Sequence, residues 1–422
     1  PYIDNDFTVS GSVSWSRLWG IGHTISGNLS VLDGATYNDG PVSGSQNIGS
    51  LYIDGTSTYI AAISGTTTIT DEGARGGSDY CVFVDTGGVF THNDGTVTIE
   101  GSRNDSFTEM VWRTSNHLYN LNCWLTAPCN QLLMSNNEDA TGIVIANDFN
   151  VIAAKTFKTF GAANSKPLTV SGTATISGTL GVTTETSDWT FGTLDIKSGG
   201  TYIATTGETI IDNDLNGGVY QFQNEGTFTH NSGTVVTSGT SGKVYINSTG
   251  TPTEPTTFYN LTAKTTTDYT SIQSDITVEN ILDNQTYFMM NGGYRDFDLT
   301  MGTTGQQGIL NNSSTFGMNY SYYKDLKIKG ASEVYPAIIS GTNFNWGSTH
   351  ADTGSQMFIE NVHFKDDIET GEVEGGCGFT LTGPCEFAAF TVKAGDLLDC
   401  SGQRVTFGGT MTTAADGLII SG

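Results

Sequence analysis

The side chains best suited to chemistry in this 422-residue chain are carboxylates and a few histidines. Asp212-Asn213-Asp214-Leu215-Asn216-Gly217 has the spacing of the first half of an EF-hand-type calcium loop. Alternate oxygen side chains there can wrap one hard cation, and the glycine permits a sharp turn. Asp212, Asp214 and Asn216 are therefore candidate calcium ligands. Position twelve holds Gln223 rather than a bidentate glutamate, and both flanks read as strands, so an acidic turn competes. A second acidic run, Asp366-Asp367 with Glu369, Glu372 and Glu374, precedes Gly375-Gly376. Two carboxyls facing across a groove can act as acid and base on a sugar chain. Adjacency in sequence does not supply that facing, and a solvated loop is the plainer reading. His92 and His230 share a repeated context but no metal-ligand spacing, which points to a structural corner or ladder. No nucleophile elbow, phosphate-binding loop or dinucleotide fingerprint occurs in a supporting context.

Six cysteines are present. An even count in a polar, glycine-rich chain permits disulfides and an extracellular setting. The local pairs are Cys123 with Cys129 and Cys377 with Cys385, with buried free thiols as the alternative. No Cys-x-x-Cys spacing suggests zinc. Tyr320, Tyr322 and Tyr323 cluster, and Phe344 lies near Trp346. Such rings could stack on sugars or simply fill a core.

The elements that must position these groups are short strands. Leu51-Tyr52-Ile53, Thr58-Tyr59-Ile60 and Thr96-Val97-Thr98-Ile99 are each closed by a glycine-containing turn, and later segments repeat the rhythm. Strands of three to five residues with a turn every eight to twelve indicate a sandwich, barrel or solenoid. A coil of three such strands takes about 20 residues. Gly is 54 of 422 residues and charged residues only 14%, an all-β composition. The stretch from Met110 to Met134 has fewer turn signals and reads as an excursion.

A long segment is duplicated. Gly88-Val89-Phe90-Thr91-His92-Asn93-Asp94-Gly95-Thr96-Val97 returns as Gly226-Thr227-Phe228-Thr229-His230-Asn231-Ser232-Gly233-Thr234-Val235. Tyr119-Asn120-Leu121, Thr58-Tyr59-Ile60-Ala61 and Ser26-Gly27-Asn28-Leu29 return in the same order, at offsets between 138 and 151 residues. Fixed-period self-similarity marks a repeat architecture. The organisation expected is an N-terminal cap or junction over 1–25 and solenoid blocks over 26–145 and 146–280. A diverged block over 281–422 is expected to continue past the chain end.

The Gly-x-Phe-Thr-His-Asn-x-Gly-Thr-Val segment, with Phe-Tyr-Asn-Leu-Thr downstream, resembles Gly/Thr-rich repeats of right-handed parallel β-helix proteins. These include marine phage fibre or structural proteins and bacterial surface adhesins. The resemblance implies an all-β right-handed parallel β-helix, a β-solenoid with internal duplication; an array of β-sandwich domains is the competing fold. It further implies a non-enzymatic extracellular protein on a virion or cell surface: a fibre, spike or adhesin binding host glycans. A filament- or sheath-forming subunit and a polysaccharide lyase or hydrolase use the same fold. Self-association into a trimer or filament, or contact with other surface proteins, is the expected partnership. The formal net charge of −26 opposes nucleic-acid and anionic-membrane partners. No run of 18 apolar residues predicts membrane insertion. Calcium is the one cofactor suggested.

Overall fold

A computed structural model describes residues 2–16, 22–40, 44–70, 80–101, 107–113, 117–126, 129, 131–135, 142–159, 165–212, 214–215, 221–240, 242–246, 255–266, 269–290, 297–318, 326–341, 344–345, 356–369, 378–392, 397–400, 402–413 and 418–420. Among the described residues every regular element is a strand, and the strands stack in parallel as a β-solenoid. One antiparallel hairpin interrupts this pattern, joining Phe297–Thr303 to Gln306–Gln307. Parallel stacking follows from the sequence pattern. Segments such as Leu168–Ile176 alternate inward apolar with outward polar or small residues.

The chain forms two compact units. One comprises Pro1–Thr209 with Glu225–Asn231, the other Ile210–Asn224 with Ser232–Gly422. The strand His23–Leu32 runs across position 25, and Ile276–Asn284 runs across position 280.

In the first unit one inward column shows how the core is built. Ile25, Ile48, Ile69, Ile99, Cys123, Val151, Ile176 and Ile196 lie in consecutive register and are buried. Seven of these eight are β-branched, the side-chain shape that packs best on a pleated, half-buried surface. Ile176 and Ile196 are 20 residues apart and Ile69 and Ile99 are 30 apart. Coil length therefore varies. Many strands also exceed the expected length. His23–Leu32, Gln46–Ile53 and Leu168–Ile176 each bend around a corner and serve two faces. The stretch after Met110 is no excursion: Phe107–Trp112, Asn120–Cys123 and Gln131–Ser135 are ordinary rungs.

Aromatic rings stack along a second inward column. Trp15 stacks on Tyr37 at 4.5 Å, Tyr37 on Tyr59 at 5.6 Å, and Tyr59 on Phe90 at 5.3 Å. Trp15 is the first of these rings in chain order, while Arg17 and Trp19 lie outside the described residues. In the second unit Phe364 stacks on Phe387 at 5.0 Å and Phe387 on Phe407 at 5.7 Å.

Candidate functional site

The duplicated His-Asn-x-Gly segment forms a corner. Asn93 and Asp94 have φ of 46° and 56°, and Asn231 and Ser232 have 48° and 57°. Two consecutive positive φ values define a type I′ turn, which Asn and Asp tolerate better than other residues with a side chain. The Gly95 N–H closes the first copy by donating to the His92 carbonyl at 2.9 Å. His92 Nδ1 accepts the Asp94 N–H at 2.9 Å, and its ring stacks on Tyr119 at 5.4 Å. The repeated histidine therefore belongs to a structural turn.

The calcium-type segment is tied into its surroundings. Asp212 Oδ1 accepts the Asp214 N–H at 3.0 Å. Both Asp214 carboxylate oxygens accept from Thr240, from its N–H at 2.8 and 2.9 Å and from its hydroxyl at 3.3 and 3.0 Å. Here Asp212 closes a local turn and Asp214 braces that turn against the next coil. Asn216 lies outside the described residues, and among the described residues no three His, Cys, Asp or Glu side chains gather as a metal site. In the second acidic run, Asp366 accepts the Gly341 N–H at 2.6 Å, bracing backbone in the same way. Glu372, Glu374, Trp346 and Tyr320, Tyr322 and Tyr323 lie outside the described residues.

Cys123 and Cys129, one of the local pairs considered above, are separate buried thiols in this structure. Cys123 is a rung of the inward column, and both sulfurs are buried. Burial, with Cys129 nearby, pushes the Cys123 thiol well above its ordinary range. Cys385 is also a free buried thiol, and its expected partner Cys377 lies outside the described residues.

Two buried polar clusters carry no sequence signal. Tyr37 Oη and His23 Nε2 are 2.7 Å apart, His23 Nδ1 lies 3.8 Å from Asp39 Oδ1, and the Tyr59 hydroxyl donates to Asp39 Oδ2 at 3.0 Å. The order carboxylate, imidazole, hydroxyl matches a proton relay. Asp39, Tyr37 and Tyr59 are 0% exposed and His23 6%, so the cluster is sealed inside the coils. Burial first, then the Asp39 charge, raises the Tyr59 phenol well above its ordinary value. The second cluster is centred on Glu185. This carboxylate accepts the Thr159 N–H at 3.0 Å, the Thr159 hydroxyl at 2.6 Å and the Ser165 hydroxyl at 2.8 Å. Its pKa is raised by burial, against those hydrogen bonds and Lys158.

The arrangement open to a ligand is an outward column in the first unit. Thr24, Asn47, Thr68, Thr98, Asn122, Asn150, Thr175 and Asp195 occupy consecutive rungs on the polar side of the sheet. Adjacent rungs lie about 4.8 Å apart. Asn150 Nδ2 donates to Asn122 Oδ1 at 2.8 Å, and Asn122 Nδ2 donates to Thr98 Oγ1 at 3.3 Å. A neighbouring line repeats this, with Asn147 Nδ2 donating to Asn120 Oδ1 at 2.8 Å and Asn120 Nδ2 to Thr96 Oγ1 at 3.2 Å. These bonds fix the amide orientations and leave further donor and acceptor positions facing outward. Trp124 follows two residues after Asn122, held by its N–H to the Ile99 carbonyl at 2.9 Å, and is 54% exposed. Asp195 forms an ion pair with Lys197 at 2.6 Å. A flat ring beside a fixed row of amides and hydroxyls can stack a sugar and hydrogen-bond its hydroxyls.

No known protein family, curated protein or solved structure matches this chain.

Proposed function

We propose that this chain is a non-enzymatic, extracellular structural and adhesive β-solenoid, a segment of a virion fibre or spike. It takes host glycans on the outward face that carries Trp124. The observation that carries this reading is the exposed Trp124, two residues along the chain from Asn122 in the amide column of Asn122 and Asn150. A soluble protein gains nothing in stability from leaving an indole more than half exposed, and such rings mark contact surfaces. The formal net charge of −26 supports a glycan over a nucleic acid or an anionic membrane. Closed coils protect the sheet edges along their length, which suits a mechanical role outside the cell.

Labelled protein applied to an array of surface glycans tests this. Binding to a discrete set of glycans is expected, with Trp124→Ala weakening it about tenfold and leaving the circular dichroism unchanged. Absence of any glycan binding, or binding indifferent to Trp124→Ala, overturns the reading.

A further inference from the structure

One inward column near the start of the first unit is polar. His23 pairs with Gln46 and Gln46 with Thr67, two residues before the buried Ile25, Ile48 and Ile69 on the same three rungs. Gln46 and Thr67 are both buried, and the Thr67 hydroxyl donates to Gln46 Oε1 at 2.8 Å. With a C=O bond of about 1.23 Å, this contact holds the hydroxyl oxygen within about 4 Å of the amide carbon. The other end of the amide is unsatisfied: Gln46 Nε2 is buried and has no hydrogen-bond partner among the described residues. Native interiors rarely tolerate such a donor. The Tyr59 oxygen lies 3.4 Å from Thr67 Oγ1, and the Tyr59 hydroxyl donates to Asp39 Oδ2 at 3.0 Å. A hydroxyl, an amide carbonyl, a phenol and a carboxylate thus form one continuous buried chain.

We propose that Thr67 and Gln46 join as an internal ester, a cross-link that the chain makes between two of its own consecutive coils. Thr67 Oγ1 attacks the Gln46 amide carbon. Its proton passes to the Tyr59 oxygen as Tyr59 passes its own to Asp39 Oδ2. The tetrahedral carbon then collapses, the C–N bond breaks, and the nitrogen takes the proton back through the same relay and leaves as ammonia. One C–O bond forms, one C–N bond breaks, and no oxidant or co-reactant is consumed. Tyr59 serves as relay rather than base, because burial first and then the Asp39 charge keep its phenol protonated. Holding the two reacting groups in contact replaces a bimolecular encounter. The orphaned amide nitrogen is the group expelled, so the reaction removes the one unsatisfied atom of the pair. Burial then shields the ester from bulk water, and the bond resists unwinding of the coils it joins.

The experiment is mass spectrometry of the full chain, denatured in mild acid and digested with chymotrypsin, which can cut between the two residues after Tyr52 and Tyr59. The expected product joins the Gln46 and Thr67 peptides and is lighter than their sum by one ammonia. Hydroxylamine is expected to separate them and leave a hydroxamate at position 46. Thr67→Ser is expected to keep the joined product and Thr67→Val to lose it. Tyr59→Phe keeps the ring and removes the relay, and in freshly synthesised chain it is expected to form the bond about a hundredfold more slowly. Separate Gln46 and Thr67 peptides at their sequence masses in the parent protein overturn the proposal. So does an ammonia loss confined to one peptide, or a joined product that survives Thr67→Val. An unchanged rate in Tyr59→Phe overturns the relay.

Discussion

Asn93 Nδ2 donates to the Ala61 carbonyl of the preceding coil at 2.7 Å, and Asn231 Nδ2 does the same to Ala204 at 3.0 Å. The duplication is thus a duplication of contacts. Tyr59 stacks on Phe90 at 5.3 Å and Tyr202 on Phe228 at 5.8 Å. Asn120 and Asn260 each donate to the threonine one rung before, both at 3.2 Å. One asparagine in each copy both accepts a left-handed backbone and ties its corner to the coil before it. Asn93→Ala removes the hydrogen bond and strains the turn, and is expected to cost about 2 kcal/mol. Asn93→Gly keeps the turn and costs about 1 kcal/mol. Equilibrium urea unfolding of the three proteins checks the order.

Gly49 marks a bend where strands from adjacent coils come close. A Cβ there would lie 2.5 Å from the Ser26 carbonyl oxygen and 2.6 Å from that of Gly27. Both are backbone atoms held in the sheet, so neither can give way cheaply. Gly49→Ala is expected to destabilise by about 1–3 kcal/mol. Gly305 meets nothing within 4 Å and has no positive φ, so Gly305→Ala is expected to stay within about 1 kcal/mol of the parent. Thermal unfolding of both variants compares a tight bend with an open one.

Glu185 gives a pH dependence of defined sign. Burial raises its carboxyl above the ordinary value, so the folded protein favours the neutral form. That contribution is complete below the unfolded-state pKa of about 4.3 and is lost as pH rises through the higher folded-state value. Glu185→Gln stays neutral throughout. Its unfolding midpoint minus that of the parent is expected to be more positive at about pH 7 than at about pH 3.5. An equal difference at both pH values would remove Glu185 as a titrating group.

Asp214 is placed to brace Thr240, and this predicts a calcium-independent effect. Asp214→Ala is expected to lose about 1 kcal/mol at this exposed position. The loss should be the same with calcium or with a chelator. A midpoint that rises with calcium in the parent and not in the variant would instead make Asp212 and Asp214 cation ligands.

Some of these features were legible early. The paired turn and strand segments around His92 and His230 announced a repeated corner, because only a few residue types tolerate two consecutive positive φ angles. The alternation in Leu51-Tyr52-Ile53 and its relatives announced strands with one buried side. The Asp39–His23–Tyr37 cluster left no trace, since its members are joined only across the coil interior. Trp124 was hidden for a different reason: a tryptophan in a strand-like stretch reads equally as core or surface.

The sequence by itself determined that this chain is all-β, repetitive and turn-rich, because those properties depend on local backbone preferences and on side-chain alternation with period two. Only the tertiary structure decided which residues share a face. Rung-to-rung spacing runs from 18 residues between Tyr269 and Tyr287 to 31 between Leu51 and Val82, so no constant spacing links a rung to the next. Register is set by parallel hydrogen bonding and by inward side chains packing on one another. That packing put Asn122 and Asn150 in one column and turned Cys123 into a core rung.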